Sequence, residues 1–175
     1  PQDSAARNTN ERLQDAAVTH QYTGVAPTVA LHIPWDKVDD WPGLAQYADQ
    51  LGITIGAINP NLFQEHDYKL GSVCHPDADV RSKAIEHLLE CTEIMRHTRS
   101  GDLSIWLADG TNYPGQDDFR LRKDRLIECL RAAYNDLPGG GRMLIEYKFF
   151  EPAFYHTDIP DWGTALVICQ RLGDR

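Results

Sequence analysis

Four times in the 175 residues a short apolar run is followed by a polar, aromatic-bearing loop and then by a longer amphipathic stretch. The apolar runs are 28–33 (TVALHI), 53–58 (ITIGAI), 103–107 (LSIWL) and the opening of 143–148 (MLIEYK). Near-continuous apolar runs of this length read as strands buried on both faces, not as strands alternating between core and water. Between them, apolar residues recur at helical spacing: Leu44, Tyr47, Ala48 and Leu51 within 39–51, Val80, Ala84, Leu88, Cys91 and Met95 within 77–96, and Leu126, Leu130 and Ala133 within 118–137. Asp77 stands where an N-cap is needed, Gly52 ends the first of these helices, and Pro138 with the glycines at 139–141 ends the last. Two further helices are expected, at 8–20 with Asn10 as cap and Gly24 just past its end, and at 162–172. Strands alternating with helices predict an α/β fold with a parallel sheet, either an open doubly wound sheet or a closed strand–helix barrel. No GxGxxG follows the first strand, so the dinucleotide-binding version lacks its fingerprint.

In both architectures the chemistry gathers at the carboxyl ends of the strands. Those ends carry His32, Trp35 and Asp36, then Asn59 and Phe63, then Trp106 and Asp109, then Glu146 and Lys148. Side chains alternate along a strand, which puts Glu146 and Lys148 on one face and Tyr147 on the other. Opposite charges aimed at one interior space need compensation by each other, by a metal or by a substrate. The HxxxD pair places a titratable ring beside a carboxylate that can orient it, an arrangement suited to proton exchange. Asp109, Asn112 and Tyr113 either touch a substrate or shape their turn. His75 and His156 fall in loops expected to be solvated, and His87 and His97 on or near a helix surface.

Composition removes some partners. A net charge of −9 without a basic cluster argues against a nucleic-acid backbone. No run reaches the roughly 18 apolar residues of a membrane span. Cys74, Cys91, Cys129 and Cys169 are scattered without a CxxC pair, which reads as reduced thiols and points to the cytoplasm.

The ordered motifs HIPWD, NPNLF, WLADGTNYPGQDD and EYKFFEP, each at a strand end, resemble the L-rhamnose isomerases and related sugar isomerases, within the xylose-isomerase-like superfamily of metal-dependent (β/α)8 TIM barrels. The resemblance implies aldose–ketose interconversion, L-rhamnose to L-rhamnulose or a related sugar, by metal-assisted hydrogen transfer between C1 and C2. It implies Glu146 as a ligand to a divalent metal, Mn2+ before Mg2+ or Co2+, and Lys148 as the cation beside the substrate carbonyl oxygen. His32 and Asp36 would handle ring opening, and Trp106, Phe63 and Trp35 would form the apolar wall around the sugar. A homotetramer is implied as well. A barrel of this kind needs eight strands and commonly about 250 residues. Four strands are legible here, so residues 1–175 are expected to form a single domain that is an internal segment of a longer barrel. Two other readings compete: a non-catalytic sugar-binding or assembly module, and a metal-dependent endonuclease of the same superfamily acting at abasic DNA sites.

Overall fold

Parallel strands cannot be joined by a tight turn, and each apolar run is accordingly followed by a helix that carries the chain back across the sheet. The computed structural model describes residues 5–148 and 155–173. In order, the elements are α1 (Thr9–Thr23), β1 (Thr28–Ile33), α2 (Trp41–Gln50), β2 (Thr54–Pro60), a 3-10 turn (His66–Tyr68), α3 (Ala78–Thr98), β3 (Asp102–Ile105), β4 (Gly110–Thr111), α4 (Phe119–Asp136), β5 (Arg142–Ile145), β6 (His156–Thr157) and α5 (Trp162–Leu172). The main sheet has four strands in the order β1-β2-β3-β5. Every pairing in it is parallel. Strand order that follows chain order, with a helix between successive strands, is the pattern of a strand–helix barrel and not of a doubly wound sheet, whose order reverses.

The helices start where side chains satisfy their first amides. Asp40, Asp77, Asp118 and Asp161 each accept from an N–H of the turn they precede. The first helix is capped by Asn8 and not by the expected Asn10, because the Asn8 side chain accepts from the Glu11 N–H two residues before the helix could be closed from Asn10.

The core lies between the sheet and its helices. Leu31, Ile33, Ile55, Ile58, Leu103, Ile105 and Met143 point from the strands toward Ala84, Leu88, Cys91, Met95, Leu126 and Leu130, all buried. The opposite sheet face departs from the expectation of strands buried on both sides. Ala30 and His32 are exposed, Asn59 and Ser104 are half-buried, and Leu144 is 44% exposed. Apart from Leu144, the apolar runs carry small or polar residues at these alternate positions, which would face the axis of a barrel and here lie open.

A small antiparallel ribbon pairs β4 with β6 and was not legible in the sequence. It ties the loop after β3 to the loop after β5. No helix among the described residues is long and apolar enough to cross a membrane.

Candidate active site

The register sets which side chains meet on the open face. Opposite one another lie His32 and Asn59 in β1 and β2, and Ser104 and Leu144 in β3 and β5. One step further along the chain, Trp106 and Glu146 leave β3 and β5 on that same face, and the Glu146 N–H donates to the Ile105 carbonyl at 3.0 Å. Adjacent strands are about 4.8 Å apart, so these two residues are lateral neighbours. The Glu146 side chain is exposed on the open face.

The aromatic residues form a continuous row. His32 and Trp35 have ring centroids 6.0 Å apart, Trp35 and Phe63 are at 6.2 Å, and Phe63 meets Trp106 edge to face at 4.5 Å. Lys148 closes the row, its Nζ 3.6 Å from the Trp106 ring centroid. An edge-to-face pair contributes about 0.5–1.5 kcal/mol beyond its area. A desolvated cation on an indole face contributes about 2 kcal/mol. Lys148 is only 4% exposed, whereas Glu146 faces the open side, so the two charges adjoin the same surface in different environments.

His32 projects from β1 with its Nε2 within hydrogen-bond distance, 3.0 Å, of Asn59 Nδ2. Asn59 Oδ1 is buried without a hydrogen-bond partner among the described residues. Asp36 does not orient the His32 ring, contrary to the sequence expectation. The chain after β1 folds back so that the Asp36 N–H donates to the His32 carbonyl at 2.8 Å. This sets the buried Asp36 carboxylate under the main chain, where Oδ2 accepts from the His32 backbone N–H at 2.8 Å and Oδ1 pairs with Arg12 of α1. Asp36 thereby fixes the loop that presents His32 and Trp35.

Of the other histidines, His75 and His87 depart from expectation, whereas His97 and His156 lie at the surface as expected. His75 is buried, and its Nδ1 accepts from the Asp77 N–H at 3.0 Å at the start of α3. His87 is half-buried and bridges α3 to the end of β2, accepting from the Asn61 N–H at 3.2 Å and meeting Glu90 at 3.1 Å. His97 and His156 are exposed.

Beneath the row lies a buried polar network that the strand-end motifs do not reveal. Asp109 is 1% exposed and accepts from Ser72 N–H, Ser72 Oγ and Cys74 N–H at 2.8–2.9 Å, so it shapes its loop and does not face a substrate. Burial raises its carboxyl pKa even against those three bonds. Arg122, fully buried, donates from Nε and Nη2 to Asp158 at 3.1 and 2.7 Å and from Nη1 to Asp117 at 3.1 Å. Burial works against the Arg122 charge, but the Asp158 carboxylate outweighs it and the guanidinium stays protonated. Gly71, at φ +108, admits this packing, since a Cβ there would lie 2.8 Å from Asp109 Oδ2 and 3.2 Å from Arg122 Nη2. The signal for Arg122 was present in the sequence: it precedes Leu126 by four and Cys129 by seven on the buried face of α4.

The network is joined to the site through main chain. Asp158 N–H donates to the Asp109 carbonyl at 3.0 Å, and Lys148 N–H donates to the Ile159 carbonyl at 2.9 Å. Residues 149–154, which include the rest of the EYKFFEP motif, lie outside the described residues. Among the described residues no three His, Cys, Asp or Glu side chains gather as a metal cage.

No family model matches the chain. Over 174 residues it is 44% identical to a probable sugar isomerase of Rhizobium meliloti and 42% identical to another of Mesorhizobium japonicum. Both alignments cover 97% of this chain and 40% of the relative, so the chain spans about 40% of the length of the curated relatives it matches. A structure of L-ribulose 3-epimerase superposes with a TM-score of 0.71 at 17% identity, over 98% of this chain and 54% of that one. A family 2 AP endonuclease from Brucella melitensis reaches 0.67 at 17% identity, over 94% and 58%. A xylose isomerase-like TIM barrel/4-hydroxyphenylpyruvate dioxygenase fusion protein reaches 0.58 at 13% identity, over 97% and 24%. Likenesses at these identities show the fold: the chain is α/β, with the parallel strand–helix units of a xylose-isomerase-like TIM barrel.

Proposed function

We propose that the protein carrying this chain is a metal-dependent sugar isomerase that interconverts an aldose and a ketose, with L-rhamnose and L-rhamnulose as the first pair to test. The observation that carries this reading is the unbroken row from His32 through Trp35, Phe63 and Trp106 to Lys148, running along the carboxyl ends of the strands beside the Glu146 carboxylate. The identity to probable sugar isomerases supports it.

Each residue has a task that follows from its placement. The Trp35, Phe63 and Trp106 rings offer apolar faces to the carbon skeleton and keep water from the transferring hydrogen. His32, held against Asn59 at the end of β1, can exchange a proton with a sugar hydroxyl as the ring opens. Lys148 supplies fixed positive charge where negative charge develops on the carbonyl oxygen. Asp36 and Arg12 hold the loop bearing His32 and Trp35.

Glu146 would hold the metal through its carboxylate. A hard oxygen donor suits Mn2+, Mg2+ or Co2+, and its exposure leaves the oxygens open to a ligand. The remaining ligands would come from residues other than those described, among which no three His, Cys, Asp or Glu side chains gather. When bound, the ion would polarise two neighbouring sugar oxygens. We further expect a cytoplasmic homotetramer.

An acidic chain whose sequence carries no basic run does not suit a DNA backbone, which speaks against nuclease chemistry despite the shared fold. The test is to load the natural gene product with MnCl2 and incubate it with L-rhamnose, D-mannose, D-allose and D-fructose. Ketose appearing from aldose supports isomerisation between C1 and C2, whereas products of C3 inversion would reassign the protein to epimerisation. No conversion of any sugar by the loaded protein would end the proposal.

A further inference from the structure

Lys148 is not held by its own strand, because β5 ends at Ile145. Its ammonium is placed by contacts from elsewhere. One is the Trp106 face at 3.6 Å. Another is Tyr155, whose hydroxyl accepts from Lys148 Nζ at 3.1 Å. A hydrogen bond from a charged donor contributes roughly twice as much as a neutral one and, unlike contact with a ring face, has a defined direction.

Tyr155 is itself fixed by the β4–β6 ribbon. It immediately precedes His156, which pairs with Thr111, while Gly110 pairs with Thr157. The Tyr155 ring lies against the main chain of Gly110, where a Cβ would come within 2.5 Å of ring carbon Cε2 and of the His156 carbonyl oxygen. Real Cβ atoms do not approach so closely, so the missing side chain at 110 creates the seat of the ring. The ribbon rests on the buried network through the bond from Asp158 N–H to the Asp109 carbonyl.

We propose that Tyr155, seated on Gly110, is the positioning residue for Lys148: its hydroxyl holds the Lys148 ammonium on the face of Trp106. Tyr155 acts through Lys148 and is not assigned contact with a reacting atom. The catalytic part of this inference rests on the isomerase reading above, but the placement of Lys148 does not.

Tyr155→Phe tests it in the metal-loaded natural protein, since this variant keeps the ring on Gly110 and removes only the hydroxyl. The first readout needs no activity: competitive acetylation of amines with acetic anhydride, quantified at Lys148 by mass spectrometry against the exposed Lys37 as internal standard. Lys148 should acetylate at least about fivefold faster in Tyr155→Phe, in line with loss of one charge-assisted bond. Gly110→Ala, which displaces the ring, should produce the same increase. The second readout is kinetic: kcat should fall about tenfold with KM within about twofold, the pattern of a contact used mainly in the transition state. An unchanged labelling rate in Tyr155→Phe overturns the proposal, and faster labelling with an unchanged kcat in an active parent overturns its catalytic part. Should the parent protein convert no sugar, the isomerase reading fails and the labelling ratio alone decides the placement of Lys148. A loss of thermal stability without faster Lys148 labelling would assign Tyr155 to packing only and likewise overturn the proposal.

Discussion

Replacing Arg122 with Met is the sharpest probe of what supports the strand ends. The Arg122 and Asp158 side chains are each 2% exposed, so neither charge is screened by water. Arg122→Met leaves the Asp158 carboxylate buried without its guanidinium, and removing one partner of such a pair costs about 3–5 kcal/mol. Asp117 loses less, because it keeps Arg125 at 3.0 Å. At about 2–4 °C per kcal/mol for a chain of this size, the unfolding midpoint should drop by about 6–20 °C. Thermal unfolding followed by circular dichroism reads the midpoint, urea unfolding reads the free energy, and Asp158→Leu with the double variant Arg122→Met/Asp158→Leu completes the cycle. Because buried pairs are often replaced by apolar residues at little net cost, the double variant should regain most of the lost stability. A cost below about 1 kcal/mol for Arg122→Met, or a double variant no more stable than the single one, would refute the view that this pair is a closed, desolvated unit.

Glu146→Gln should leave the circular dichroism spectrum and unfolding midpoint unchanged while abolishing metal-dependent turnover and weakening Mn2+ binding in calorimetry; retained turnover with bound metal would remove Glu146 from the site. Trp106→Ala deletes the contacts to Phe63 and Lys148 together, and the aromatic and cation contributions sum to about 2.5–3.5 kcal/mol, so kcat/KM should fall by up to about 70- to 400-fold. Acid stability offers a further check. Burial pushes the Asp117 and Asp136 carboxyls up, but hydrogen bonds from the Asp118 N–H and Arg122, and from Thr92 and Arg96, more than offset this and hold both below the usual carboxylate range. A depressed acid stabilises fully above its unfolded pKa, near 4, and loses that contribution as pH falls through its folded value. Stability from these two groups should therefore be flat from pH 7 to about 5 and decline below about 4, and Asp117→Asn with Asp136→Asn should flatten that decline in urea titrations. Leu88→Ala, at a fully buried position of α3, should cost about 2–5 kcal/mol in the same assay.

The residues themselves determined the order and kind of the principal elements. Apolar runs at 28–33 and 103–107 could only be strands of a parallel sheet, and Leu88, Cys91 and Met95 at helical spacing could only cover one of its faces, because both periodicities are local properties of the chain. The placement of His32, Phe63, Trp106 and Lys148 at carboxyl ends followed from the same local pattern and a topological rule. Tertiary structure alone decided which neighbours these groups acquired. Asp36 turned to a backbone amide and Arg12 instead of the His32 ring, His75 became buried, and Lys148 found Tyr155, which precedes a strand of a two-stranded ribbon too short to carry a periodic signal. Arg122 met Asp158, 36 residues away, and that separation is the physical reason. Hydrogen bonds and ion pairs between distant segments depend on how loops close in space, and spacing along the chain encodes only the faces from which they are drawn.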